Sequence, residues 1–90
     1  MQTNRFYIEN SSMFDSRKYD TRAMRQILSG YIKNPRESYK GGLNNQPKVL
    51  TFEFNYHWFN NDNDAIHFCA NLLAMKLFDG KTPFIFLKDW

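Results

Sequence analysis

Apolar and polar positions alternate along some stretches of this chain and recur at helical spacing along others. In Thr3-Asn4-Arg5-Phe6-Tyr7-Ile8-Glu9, Phe6 and Ile8 fall on one side and Arg5, Tyr7 and Glu9 on the other. This alternation predicts a short half-buried strand over 3–9. Residues 10–19 are polar and predict a loop, pinned down by Met13, Phe14 and Tyr19. From Asp20 to Lys33 the spacing predicts a helix. Met24, Ile27, Leu28, Tyr31 and Ile32 form its apolar face, and Arg22, Arg25, Gln26, Ser29 and Lys33 form a polar, basic one. Asp20 is a good N-cap, Pro35 bars continuation beyond Asn34, and Gly30 weakens the last turn by about 1 kcal/mol. Two prolines, Gly41-Gly42 and Asn44-Asn45-Gln46 predict a long basic, Gly/Asn-rich loop over 34–47. Loops of that length in compact domains are usually functional or disordered.

The strongest alternation runs over 48–59. Leu50, Phe52, Phe54, Tyr56 and Trp58 point one way, and Val49, Thr51, Glu53, Asn55 and His57 the other. One face of the sheet is therefore expected to be packed and the other wetter. A turn over Asn60 to Asn63 leads into a second helix from Asp64 to Phe78, capped by Asp62 or Asn63 and ended at Asp79-Gly80. Its stripe is Ile66, Cys69, Ala70, Leu73 and Leu77, with Phe68, Leu72 and Met75 beside it, so the helix is central or meets a partner on a second side. After Thr82-Pro83, residues 84–88 predict a last strand. The order β-α-β-α-β implies an α/β (α+β) fold: one domain over 1–90, a two-layer sandwich with two helices on one face of a three-stranded sheet. Parallel crossovers and an antiparallel arrangement both remain open.

Composition supplies the core. Nine Phe, five Tyr and two Trp are dense packing material for 90 residues. The single cysteine, Cys69, makes an intramolecular disulfide impossible and fits a reducing compartment. No apolar run follows Met1, and the apolar patch over 65–78 is broken by His67, Asn71 and Lys76, so neither a signal peptide nor a membrane span is expected. A cytoplasmic location follows from these expectations.

Charge is lopsided. The first 48 residues hold nine Lys/Arg and four Asp/Glu, whereas the last 42 hold three and five. Arg22, Arg25 and Lys33 on one helix face, with Arg36 and Lys40 in the following loop, would track a phosphate backbone, and Tyr39 among them would stack on a base. Trp58, Phe59, Phe78, Phe84 and Trp90 exceed what so small a core needs, and Trp58, Phe59 and Trp90, at element ends, are candidate interface anchors. The ordinary alternative is that these cations solvate an amphipathic helix and that the aromatic residues pack the core. The Lys/Arg-Gly-aromatic-Gly core of RNA-recognition sheets is absent around Phe52-Glu53-Phe54.

Catalytic and metal chemistry find little support. His67 and Cys69 are two apart on a helix and point about 200° from each other. Glu53 and His57 lie roughly 13 Å apart along a strand. Gly41-Gly42 lacks the spacing of a phosphate loop. No metal or cofactor is expected, and a small ribonuclease built on His57 is only a third reading, behind two non-enzymatic ones.

Asn, Phe, Lys, Tyr and Ile make up 36 of the 90 residues, and all five have AT-rich codons. In this overall composition the chain resembles small accessory and inhibitor proteins of large AT-rich lytic phages. The resemblance implies a non-enzymatic factor that occludes a host protein, as in host takeover or counter-defence against CRISPR, restriction or toxin–antitoxin systems. The patch Arg22, Arg25, Lys33, Arg36, Tyr39, Lys40 and Trp58 would carry that contact. The alternative is a protein that binds RNA or single-stranded nucleic acid through the same residues. A homodimer would also use exposed aromatic surface.

Overall fold

Among the described residues, four strands and two helices follow one another as β1 (Phe6–Glu9), α1 (Thr21–Ile27), β2 (Ile32–Tyr39), β3 (Lys48–Phe54), α2 (Asp62–Lys76) and β4 (Phe84–Leu87). A single 3-10 turn, Lys40–Gly42, joins β2 to β3. The computed structural model describes residues 4–9 and 19–90. Of the loop predicted over 10–19, all but Tyr19 lies outside the described residues, Met13 and Phe14 included, as do the first three positions. The sheet is antiparallel throughout, in the order β2-β3-β1-β4. Each of its two β-α-β units skips over a central strand of the other, which is split β-α-β connectivity.

The α+β class is as expected, but the sheet has four strands where three were predicted. The extra strand is β2, drawn from the end of the predicted helix and the front of the predicted 34–47 loop. Helix α1 starts at its Asp20 cap, whose carboxylate accepts from the backbone of Arg22 and Ala23, but it stops at Ile27. Gly30 sits at φ +91, a left-handed conformation that reverses the chain and that glycine adopts without strain. Tyr31 and Ile32 therefore leave the helix, and Ile32 enters the sheet opposite Phe54.

Pro35 is tolerated because β2 is an edge strand with a bulge at that point. Lys33 pairs with Glu53 and Arg36 with Thr51, three residues against two, and Asn34 takes φ +51 inside the bulge. Strand β3 ends at Phe54, not at residue 59. The Asn55 side chain accepts from the His57 backbone and donates to the Gly30 carbonyl, turning Tyr56 and Trp58 out of the sheet.

Alternation places the core. Phe6, Ile8, Ile32, Leu50, Phe52, Phe54 and Ile85 face Met24 and Leu28 from the α1 region and Ala65, Cys69, Ala70 and Leu73 from α2. Both helices thus cover one sheet face, as predicted. Phe52 and Phe54 are fully buried and meet edge-on at 5.4 Å. Truncating either to alanine would cost about 3–5 kcal/mol. Helix α2 is capped by Asn61, one residue before Asp62 and two before Asn63, the predicted caps, with its side chain accepting from the Asp64 backbone at 2.8 Å. At the far end the Gly80 N–H returns to the Ala74 carbonyl at 2.7 Å, with Gly80 at φ +87, so Asp79-Gly80 ends the helix as expected. Phe68 and Met75, placed beside the apolar stripe, are exposed.

One polar side chain is built into this frame. The register of Phe6 with Phe52 and Tyr7 with Thr51 would next bring Ile8 opposite Leu50. Instead the Tyr19 hydroxyl lies between them, donating to the Ile8 carbonyl and accepting from the Leu50 N–H at 3.1 Å. Burial pushes the Tyr19 phenol well above its ordinary value, so it stays protonated and able to donate.

Candidate nucleic-acid interface

The sheet face opposite the helices is set by the same alternation. Cross-strand partners share a face, so Glu9, Tyr7 and Arg5 on β1 line up with Phe84, Phe86 and Lys88 on and after β4. On the other side lie Val49, Thr51 and Glu53 of β3, then Ser38, Arg36 and Lys33 of β2. The β1/β4 half is aromatic. Tyr7 and Phe86 rings are 5.7 Å apart, Phe84 and Phe86 5.7 Å, and Tyr7 and Trp90 5.9 Å. Phe84 and Phe86 are 50% and 42% exposed, although nothing in packing the core requires them there.

The β2/β3 half is polar and organised by Arg5. Its guanidinium reaches across β3 to the bulge of β2, donating to Thr51 Oγ1 at 2.9 Å, the Asn34 carbonyl at 2.8 Å and Glu53 at 3.3 Å. Asn34 Nδ2 also donates to Glu53, at 2.7 Å. Partial burial, followed by the nearby Arg36 charge, holds Arg5 below its ordinary value against the pull of Glu53. This lattice explains why the expected wetter face is only partly wet. Thr51 and Val49 are buried, and Glu53 is half-buried. Arg36 and Lys33 project beyond it, exposed, and no described carboxylate pairs with either. The Lys88 ammonium sits 4.3 Å from the Trp90 ring centre.

The seven residues predicted as one patch are distributed over separate surfaces. Arg22 and Arg25 lie on the outer side of α1. They line a groove of about 640 Å³ with Gln26, Ser29, Pro35 and Glu37, and Glu37 also accepts from Thr21. Lys33 and Arg36 are on the opposite, open sheet face. Tyr39 is back on the helix side, with the Lys48 ammonium 5.5 Å from its ring centre. Lys40 pairs with Glu9, a hydrogen bond that raises its pKa. Trp58 stands at the far end of β3, 60% exposed, with Tyr31 at 6.2 Å and His57 at 5.1 Å.

Sequence reasoning does not single out Arg5, Tyr7, Phe86 and Lys88, and it names Phe84 and Trp90 only as surplus rings for a protein interface; Phe59 and Phe78, named with them, are buried in the core. A usable signal was present in Arg5 and Tyr7, which alternate away from Phe6 and Ile8. In Phe84-Ile85-Phe86-Leu87 every position is apolar, so alternation alone does not distinguish the two faces.

Catalytic candidates do not converge. Cys69 is fully buried, and burial alone pushes its thiol up to about 12, away from the reactive thiolate. His67 and His57 are exposed on different elements. Among the described residues no group of three or more His, Cys, Asp or Glu is placed to hold a metal, and no helix is long and apolar enough to cross a membrane. Comparison with protein-family models, with curated proteins and with solved structures found no match.

Proposed function

We propose that this chain is a non-catalytic binding module that takes single-stranded nucleic acid on its open sheet face. The observation that carries the reading is the pairing of exposed rings at Phe84 and Phe86, beside the half-buried Tyr7, with exposed cations at Arg36 and Lys33 on that same face, with which no described carboxylate pairs. Rings on a flat sheet stack on bases without regard to sequence, each worth about 1–3 kcal/mol, while cations alongside take the phosphates. Duplex would be a poor ligand, because its bases are already stacked.

Fluorescence anisotropy with labelled single-stranded and duplex oligonucleotides tests this. Phe86→Ala is expected to weaken single-strand binding by about 5–150-fold, the equivalent of one lost stack. Arg36→Ala should reduce the slope of log affinity against log salt by about 0.7. Equal binding by both variants and the parent would remove the proposal.

A second reading is occlusion of a host protein, the role implied by the phage-like composition. The exposure of Trp58, continuous through Tyr31 with the exposed Phe68, favours it. A pull-down from host lysate with and without nuclease separates the two. Capture that survives nuclease and is lost in Trp58→Ala supports docking of a protein. Capture lost on nuclease treatment supports the sheet face.

A further inference from the structure

The two edges of the sheet are unlike. The β2 edge carries a bulge, Pro35 and the charges of Lys33, Arg36 and Glu37, features that obstruct strand addition. The β4 edge is Phe84-Ile85-Phe86-Leu87, without bulge, proline or charge, and its Leu87 is 51% exposed. The Lys88 N–H donates to the Arg5 carbonyl at 2.7 Å, which fixes the alternation along β4. The backbone groups of Phe84, Phe86 and Lys88 face β1, and those of Ile85 and Leu87 face outward. Among the described residues no strand pairs with that outer side.

From this edge we infer that a second copy of the chain docks antiparallel along β4, making a two-fold dimer with one continuous eight-stranded sheet. The register centred on Ile85 is self-complementary. Ile85 then faces its own mate through two reciprocal hydrogen bonds, and the Leu87 N–H meets the Pro83 carbonyl. On the open face Phe84 falls opposite Phe86 of the mate, twice, giving the cross-strand aromatic pairs that stabilise sheets. Extended three residues before the strand and two beyond it, the same register sets Lys81 against Asp89 of the mate, also twice. Moving the centre one residue to Phe86 would set Lys88 against Phe84 instead. The two-fold axis is perpendicular to the sheet, so both helical layers stay on one side. The obstructed β2 edges become the outer edges, and assembly closes at two copies. This inference does not depend on nucleic-acid binding.

Light scattering on the eluting full chain at micromolar concentration reads the outcome. The parent is expected at twice the 10.8 kDa chain mass. Leu87→Pro removes only an outward-facing N–H, so it should leave the β1 ladder and the circular dichroism spectrum unchanged while giving monomer. Lys81→Glu should weaken dimerisation by roughly tenfold, and Lys81→Glu with Asp89→Lys should restore it. A monomeric parent, a Leu87→Pro dimer, or a charge swap that restores nothing would overturn the inference. Should Leu87→Pro fail to fold, Leu87→Lys places a charge on the same edge and must also give monomer.

Discussion

Replacing Tyr19 with phenylalanine removes one oxygen and leaves two buried backbone groups without their partner. The hydroxyl accepts from Leu50 N–H at 3.1 Å and donates to the Ile8 carbonyl, and both residues are 0% exposed, so water does not reach the gap. An unpaired buried N–H costs about 1–3 kcal/mol, and the carbonyl adds roughly 1 kcal/mol more. The expected loss is therefore about 2–4 kcal/mol, a large part of the roughly 5–13 kcal/mol that holds a domain this size together. For a chain of this length that corresponds to a melting point lower by roughly 8–30 °C. Urea titration followed by far-UV circular dichroism reads the change as a lower midpoint at unchanged slope. Tyr56→Phe is the control, since its exposed hydroxyl donates to Asp62 at the surface, and it should cost less than about 1 kcal/mol. A Tyr19→Phe midpoint within about 0.5 kcal/mol of the parent would refute the reasoning. It would show that Ile8 and Leu50 can close the ladder directly and that the hydroxyl is not required.

Burial raises the folded Cys69 thiol from 9.0 to about 12, so above pH 9 the unfolded chain gives up that proton first. This contribution to stability is complete below about pH 9 and is lost as pH rises toward 12, at up to about 1.4 kcal/mol per pH unit. Denaturation midpoints measured between pH 8 and 10 should fall for the parent and stay flatter for Cys69→Ala. Asn61→Ala removes the α2 cap, which accepts from the Asp64 N–H, and should lower stability by about 0.5–2 kcal/mol in the same titration. Gly80→Ala forces a Cβ onto φ +87 at the end of that helix and should cost about 1 kcal/mol although no atom lies near enough to clash.

Elements that bury a face were legible in the amino-acid pattern, and the element that does not was lost. Strand β1, the start of α1 at Asp20, the Leu50-Phe52-Phe54 run and α2 all place apolar groups at a regular period. Strand β2 places only Ile32 in the core. Its other residues are held by backbone pairing to β3, which leaves no mark in hydropathy, and Pro35 is acceptable only because β2 proves to be an edge. Missing that strand also joined cations that lie on different faces. On a helix followed by a loop, Arg22, Arg25, Lys33 and Arg36 form one surface. Once Gly30 turns the chain into a strand, the alternation sends Lys33 and Arg36 to the opposite side of the domain from Arg22 and Arg25. The front-loaded positive charge is real, but among the described residues Lys33 and Arg36 lie on one face and Arg22 and Arg25 on the other, and the exposed rings of Phe84 and Phe86 share the face of Lys33 and Arg36.

That division makes the central claim testable by position rather than by affinity alone. Photocrosslinking to a 4-thiouridine-containing single strand, with peptide mapping of the adducts, reports which surface the bases touch. Adducts at Tyr7, Phe84 or Phe86 are the predicted result. Adducts confined to the Arg22–Arg25 groove or to Trp58, or no adducts at low salt, would contradict the account.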